Sequence, residues 1–158
     1  MRNISYLLMD VDGTLTDGAI YMGNDGEAFK AFCTKDGYGI CHIAVPAGIT
    51  PIIITGRQSD IVENRCRELH ITEVHQGVEN KIDCLKAILE RLGGNLSQCA
   101  YIGDDMNDFE CMSEIQAAGG LVGAPADAVT EVIEMADFVA SRDGGKGAVR
   151  EFIEWLVK

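Results

Sequence analysis

Ile4-Ser5-Tyr6-Leu7-Leu8-Met9-Asp10-Val11-Asp12-Gly13-Thr14-Leu15-Thr16-Asp17-Gly18 joins an apolar, strand-forming run to a turn that carries two carboxylates one residue apart. Residues i and i+2 of an extended chain point the same way, so Asp10 and Asp12 address one point in space. Two neighbouring anions repel, and a fold tolerates them only with a cation, a shared proton or full solvation. The simplest reading is a Mg²⁺ site in which one carboxylate also attacks phosphorus, since hard divalent cations take oxygen ligands.

That reading needs partners, and they follow in order along the chain. Pro51-Ile52-Ile53-Ile54 is a short β-branched run that empties into Thr55-Gly56-Arg57. A hydroxyl and a backbone N–H at a strand end suit a phosphate oxygen, and Arg57 suits an anionic substrate. Lys81 opens a helical pattern after Gly77-Val78-Glu79-Asn80. Cys99-Ala100-Tyr101-Ile102 is another strand-like run, ending in Gly103-Asp104-Asp105-Met106-Asn107-Asp108. In an open parallel sheet ligands bind beyond the carboxyl ends of the strands, where these groups would gather.

The segments between alternate in type. Residues 19–22 and 28–32 flank the turn-forming Gly23-Asn24-Asp25-Gly26 and read as a hairpin. Helices are expected over 36–46, closed by Ala47-Gly48, and over 59–69, with Ser59 as its cap. Helix 79–92 carries Ile82, Leu85, Ile88, Leu89 and Leu92 on one face and stops at Gly93-Gly94. Further helices are expected over 108–115, 128–135 and 148–157, with short strands at 73–75, 120–122 and 138–139. The expectation is one α/β domain over 1–158, a three-layer Rossmann-like sandwich around a mostly parallel sheet, with a hairpin after the first strand.

Composition agrees. The chain has 158 residues, 47% hydrophobic and 24% charged, ordinary for a globular domain. No apolar run approaches the roughly 20 residues of a membrane span, and no leader is read before Ile4. The six cysteines (33, 41, 66, 84, 99 and 111) form no CxxC pair, so reduced thiols in a cytoplasmic protein are expected. His42, His70 and His75 share no metal-ligand spacing. A net charge of −12 argues against nucleic acid or an anionic membrane as partner. An anionic substrate would then need local positive charge: Mg²⁺, Lys81, Arg57, Arg65 and Lys35.

Taken in order, Asp10-x-Asp12-Gly13-Thr14, Thr55-Gly56, Lys81 and Gly103-Asp104-x-x-x-Asp108 resemble the four motifs of the haloacid dehalogenase superfamily of phosphotransferases. More narrowly, Asp17-Gly18, Ile20-Tyr21-Met22-Gly23-Asn24, Lys30-Ala31-Phe32, Asp36-Gly37-Tyr38-Gly39, Ile54-Thr55-Gly56-Arg57 and the stretch from Gly144 to Glu151 resemble its Kdo-8-phosphate phosphatase group. The gaps between motifs hold no cap domain, so the chain resembles a capless member.

The resemblance implies a Mg²⁺-dependent phosphatase acting through an aspartyl-phosphate. Asp10 would be the nucleophile and Asp12 the acid and base, with Thr55, the Gly56 N–H and Lys81 on the phosphate oxygens. Asp10, the Asp12 carbonyl and Asp104 would hold the metal, and Asp108, or Asp105, would orient a water. Lys35, Asp36, Gly37, Arg57 and Arg65 fall at positions implied to contact substrate. The resemblance also implies a homotetramer, with neighbouring subunits covering the site and the hairpin as contact element.

Each residue alone has a plainer explanation. Asp-x-Asp-Gly is often a turn or part of a calcium loop, but here Gly comes one position early and a strand precedes it. Asp104-Asp105 could cap a helix, Lys81 could be a solvated helix residue and Asp17 could merely shape a turn. The ordered set is what makes the pattern specific. Cys33 and Cys41 depart from the Asn and Arg usual in the Kdo-8-phosphate branch, and the chain ends at Lys158 where some relatives continue into a tail. A nine-carbon acid such as a nonulosonate 9-phosphate therefore stays open, although relatives acting on such acids often carry Glu where this chain has Arg57. A non-catalytic oligomerisation module is the alternative from another class; the retained Asp10, Asp12 and Lys81 argue against it.

Overall fold

The opening apolar run becomes β1 (Tyr6–Met9) in the computed structural model, which describes residues 3–158. A hairpin follows, β2 (Tyr21–Gly23) and β3 (Gly26–Phe29), then α1 (Thr34–Gly39), which continues into a π-helical turn at Ile40–Ala44. The alternation proceeds through β4 (Thr50–Ile54), α2 (Asp60–Glu68), β5 (Glu73–His75), α3 (Lys81–Leu92), β6 (Cys99–Ile102) and α4 (Met106–Ala117). It ends with β7 (Leu121–Ala124), α5 (Thr130–Met135), β8 (Phe138–Val139) and α6 (Ala148–Leu156). Met1 and Arg2, which the expected 1–158 domain includes, lie outside the described residues.

The sheet is parallel throughout, in the order β5-β4-β1-β6-β7-β8. β1 lies between β4 and β6, with Met9 in register with Ile53 on one side and Ile102 on the other. The chain fills one half of the sheet first, then crosses β1 to build the other. This is the strand-order reversal at which open α/β sheets bind ligands.

Burial on both faces explains why β1, β4 and β6 read as unbroken apolar runs rather than alternating ones. Leu7, Met9, Ile53 and Ile102 face one layer, where Ile40, Val62, Cys66, Phe152 and Ile153 come from α1 and its extension, α2 and α6. Leu8, Ile52, Ile54 and Tyr101 face the other, with Ile82, Leu85 and Ile88 of α3, Met112 and Ile115 of α4 and Val132 of α5. Three helices a side make the three-layer sandwich.

Local chemistry sets the helix ends. Ser59 accepts from the Ile61 N–H at 3.2 Å and Asn80 from the Asp83 N–H at 3.1 Å, each relieving an orphan donor. Gly93 closes α3 at φ 71°, a left-handed conformation that costs glycine little.

The structure corrects two sequence expectations. The helix expected over 36–46 starts at Thr34 and changes to π-helical bonding at Ile40, with the Val45 N–H reaching back to the Ile40 carbonyl at 3.1 Å. The hairpin's strands close in to Gly23 and Gly26, leaving only Asn24-Asp25 at the tip, the two-residue connection that tight hairpins favour. Ile20, Met22 and Phe29 remain exposed on it.

Candidate active site

Three adjacent strands deliver the residues that follow them to one place. Asp10 follows β1, Thr55 follows β4 and Gly103-Asp104 follows β6. Asp10, Asp12, Thr55, Gly56, Arg57, Asp104, Asp105 and Asn107 line a cleft of about 360 Å³. Asp10 and Thr55 are almost fully buried in its floor, whereas Gly56 and Arg57 are exposed at its edge.

Lys81 opens α3 and reaches up behind the floor. Its ammonium lies 3.1 Å from Asp10 Oδ1 and 2.9 Å from Asp108 Oδ1. Asp10 Oδ1 also accepts the Val11 N–H at 2.8 Å. Burial disfavours the charge on Lys81, but Asp10 and Asp108 outweigh it and hold the ammonium above its ordinary range.

Asp108 is completely buried and receives four donors. Lys81 and the Tyr101 hydroxyl, at 2.6 Å, bind one oxygen; the N–H groups of Asp104 and Asp105, at 3.1 and 3.3 Å, bind the other. So saturated a carboxylate is an anchor for Lys81 and for the loop after β6. Asp105 caps α4, with its side chain accepting the Met106 N–H at 2.7 Å and Asp108 returning the bond to its backbone. The plainer explanation of Asp105 thus has a geometric basis.

Asp10, Asp104 and Asp108 each offer an oxygen within 4.8 Å of the others. Burial, then Asp108, pushes Asp10 well above the usual carboxylate range, and the same causes push Asp104 up to about 7. One ammonium does not balance three carboxylates. The set is all oxygen and anionic, the donor chemistry of Mg²⁺. Gly13 leaves room for it: a Cβ there would fall 1.9 Å from Asp104 Oδ2, and its φ of 85° already excludes most side chains. The residues present fit a hard divalent cation.

Asp12 lines the same cleft with its carboxylate turned from the Asp10–Lys81 pair. Lys30 Nζ binds its Oδ1 at 2.6 Å, and Arg57 Nε stands 4.0 Å from its Oδ2. Asp17 accepts the Tyr21 hydroxyl at 2.6 Å and the Ala19 N–H at 3.0 Å, so it shapes the entry to the hairpin.

The remaining expected substrate residues lie elsewhere. Lys35 is exposed on α1. Asp36, Gly37 and Arg65 meet, with Cys33, around a separate apolar cavity of about 10 Å³, one water's worth of space between α1 and α2. Asp36 is 1% exposed; it accepts the Arg150 N–H at 2.9 Å, and burial pushes it up to about 6. Cys41 lies in a surface groove beside Arg65. None of these lines the Asp10 cleft of its own chain.

Two residues with evident work were missed as site residues. Tyr101 reads simply as a strand residue, although a tyrosine inside a fully apolar run needs a buried partner for its hydroxyl. Lys30 lies in a segment whose sequence carries only a family likeness, and nothing in its spacing links it to Asp12.

Comparison with known proteins gives one consistent result. A family profile described as haloacid dehalogenase-like hydrolase matches residues 67–153. The 3-deoxy-D-manno-octulosonate 8-phosphate phosphatase of Escherichia coli K12 is 46% identical over 156 residues, 99% of this chain and 80% of that protein. The crystal structure of the same-named phosphatase from Yersinia pestis superposes with a TM-score of 0.91 at 42% identity, covering 99% of this chain and 82% of that one. The corresponding structure from Moraxella catarrhalis, in complex with a magnesium ion, a phosphate ion and a KDO molecule, also gives 0.91, at 36% identity over 99% and 87% of the two chains.

Proposed function

This chain belongs to the haloacid dehalogenase-like hydrolases, and from that membership we propose that it is a Mg²⁺-dependent phosphatase whose substrate is 3-deoxy-D-manno-octulosonate 8-phosphate. The contact of Lys81 with Asp10 at 3.1 Å carries the chemistry, because it commits one buried carboxylate to a phosphate-binding floor. The substrate rests on the name shared by relatives 46% identical across nearly all of the chain.

Asp10 attacks phosphorus in line, forming an O–P bond as the bond to the sugar oxygen breaks. Asp12 protonates the departing alkoxide, then takes a proton from the water that opens the aspartyl-phosphate, returning Asp10 as a carboxylate and releasing phosphate. Thr55, the Gly56 N–H and Lys81 hold the equatorial oxygens, over which transition-state charge is spread. Asp108 fixes Lys81 and the loop bearing Asp104. Asp10 and Asp104 by side chain, and Asp12 by its carbonyl, are the residues that hold Mg²⁺. Bound there, Mg²⁺ supplies positive charge that lets an anionic ester approach these carboxylates and that offsets charge on the transferring group. Arg57, at the rim, suits the substrate's carboxylate.

The protein acts as a homotetramer of single-domain chains, with the hairpin as contact element. The exposed Ile20, Met22 and Phe29 support this, as a small chain with no cap needs another surface to limit water at the site. Lys35 and Arg65, away from their own cleft, would then serve a neighbour's site, with the buried Asp36 and Gly37 supporting the helix that carries Lys35. Cytoplasmic placement is supported by six free cysteines and by the lack, among the described residues, of a helix long and apolar enough to cross a membrane.

Phosphate release with Mg²⁺ across eight-carbon and nine-carbon keto-acid phosphates and plain sugar phosphates tests the substrate. Preference for 3-deoxy-D-manno-octulosonate 8-phosphate supports the proposal. Preference for a nonulosonate 9-phosphate overturns it in favour of the nine-carbon acid. A monomeric mass in solution removes the tetramer.

A further inference from the structure

Lys30 is the one described lysine outside the Asp10 floor whose side chain is 1% exposed while it pairs with a residue of the cleft. Its ammonium binds Asp12 Oδ1 at 2.6 Å and Glu27 Oε2 at 3.0 Å, and the Glu27 side chain is itself only 10% exposed. Lys30, in the segment leaving β3, thus bridges two carboxylates: Asp12 in the turn after β1 and Glu27 within β3.

From this arrangement we infer that Lys30 is a positioning residue for the acid–base group: the Glu27–Lys30–Asp12 chain pins one carboxyl oxygen of Asp12 and leaves the other facing the cleft. The inference rests on the proposed role of Asp12. Burial shields the ammonium from any ligand in the cleft, so its influence passes through Asp12. A free aspartate side chain has two rotatable bonds, and proton transfer to an alkoxide needs hydrogen-bond reach in the transition state. Holding Oδ1 removes that freedom. Oδ2, 4.0 Å from the Arg57 guanidinium at the rim, is then the oxygen available to the leaving group. The plainer role, a staple that only holds the hairpin down, predicts no dependence on the chemistry of the leaving group.

That difference makes the test. The quantity kcat/KM reports the steps up to departure of the leaving group. A sugar alkoxide needs a proton as it leaves; p-nitrophenolate leaves without one. Asp12→Ala sets the scale, with an expected loss of about 10²-fold or more on the sugar phosphate and a far smaller loss on p-nitrophenyl phosphate. Lys30→Met is expected to lose about 30-fold on the sugar phosphate and less than about 3-fold on p-nitrophenyl phosphate, with KM little changed. Lys30→Arg, which keeps the charge and the reach, is expected to recover most of the loss. The double variant Asp12→Ala/Lys30→Met is expected to be no worse than Asp12→Ala alone, because both changes remove one function.

Equal losses on the two substrates in Lys30→Met, or additive losses in the double variant, overturn the inference and leave the proposed function standing. An Asp12→Ala variant with no preference between leaving groups overturns the role of Asp12, and the inference with it. If Lys30→Met does not melt cooperatively, Glu27→Gln decides, since it loosens Lys30 while leaving its contact with Asp12. A loss confined to the sugar phosphate supports the inference, and an equal loss on both substrates overturns it.

Discussion

Lys81 and Asp108, 27 residues apart and on consecutive helices, meet as a buried ion pair at 2.9 Å. Removing one member leaves the other buried with less of its charge compensated, which costs more than the pair itself contributes. Asp108→Asn is expected to lower stability by about 3 kcal/mol, while Tyr101→Phe, which removes a single donor to the same oxygen, costs about 1 kcal/mol. Urea unfolding of the two variants checks the ranking.

Gly13 faces Asp104 across a gap that a methyl group would close. Gly13→Ala displaces that carboxylate and strains the backbone at φ 85°. Mg²⁺ affinity is expected to fall about 10- to 100-fold, read as a rise in the Mg²⁺ concentration giving half-maximal phosphate release.

The carboxylate floor makes metal binding and stability depend jointly on pH. Burial and Asp108 raise Asp10 and Asp104 above their ordinary values, Asp104 to about 7. A carboxyl whose folded value is raised costs stability as pH climbs from the ordinary value of about 4 toward that folded value, because the folded state must give up a proton it holds tightly. Metal-free protein is thus expected to lose stability across that window. Mg²⁺ takes the deprotonated form, so its stabilising effect grows over the same window. Melting temperatures at pH 5 and pH 8, with and without Mg²⁺, should show the larger increment at pH 8.

Asp36 provides a second, separable pH effect. Burial raises it to about 6, one of its oxygens has no partner among the described residues, and it stands apart from the cleft. Its burden is absent below pH 4 and complete above the folded value. Relative to the parent, Asp36→Asn is expected to gain up to about 3 kcal/mol between pH 4 and pH 8, measured with Mg²⁺ saturating. A constant difference across that range would contradict this origin.

How far the fold was legible depends on which force set each element. β1, β4 and β6 were plain because two-sided burial demands unbroken apolar runs, and α3 because its apolar spacing, Asn80 cap and Gly93 stop agree. The turn to π-helical bonding at Ile40 was not, since a single added residue per turn leaves no mark on hydrophobic spacing. In the site, Asp10, Thr55 and Asp104 could be anticipated because strand ends bring them together, and Lys81 because it opens the helix after β5. Lys30 and Tyr101 could not, because their partners, Asp12 and Asp108, are chosen by how the hairpin folds back and by what lies beneath a strand. Asp36 and Arg65 show the converse: placed near substrate by resemblance, they pack against a small cavity of their own chain.

The most direct test of the account is to trap the covalent intermediate. Borohydride added during steady-state turnover reduces an acyl phosphate to an alcohol, and peptide mass analysis then reads residue 10. Homoserine is expected in place of Asp10, dependent on substrate and Mg²⁺ and absent when substrate is withheld. An unmodified Asp10 in rapidly turning-over enzyme, with reduction found at another carboxylate or nowhere, would contradict it.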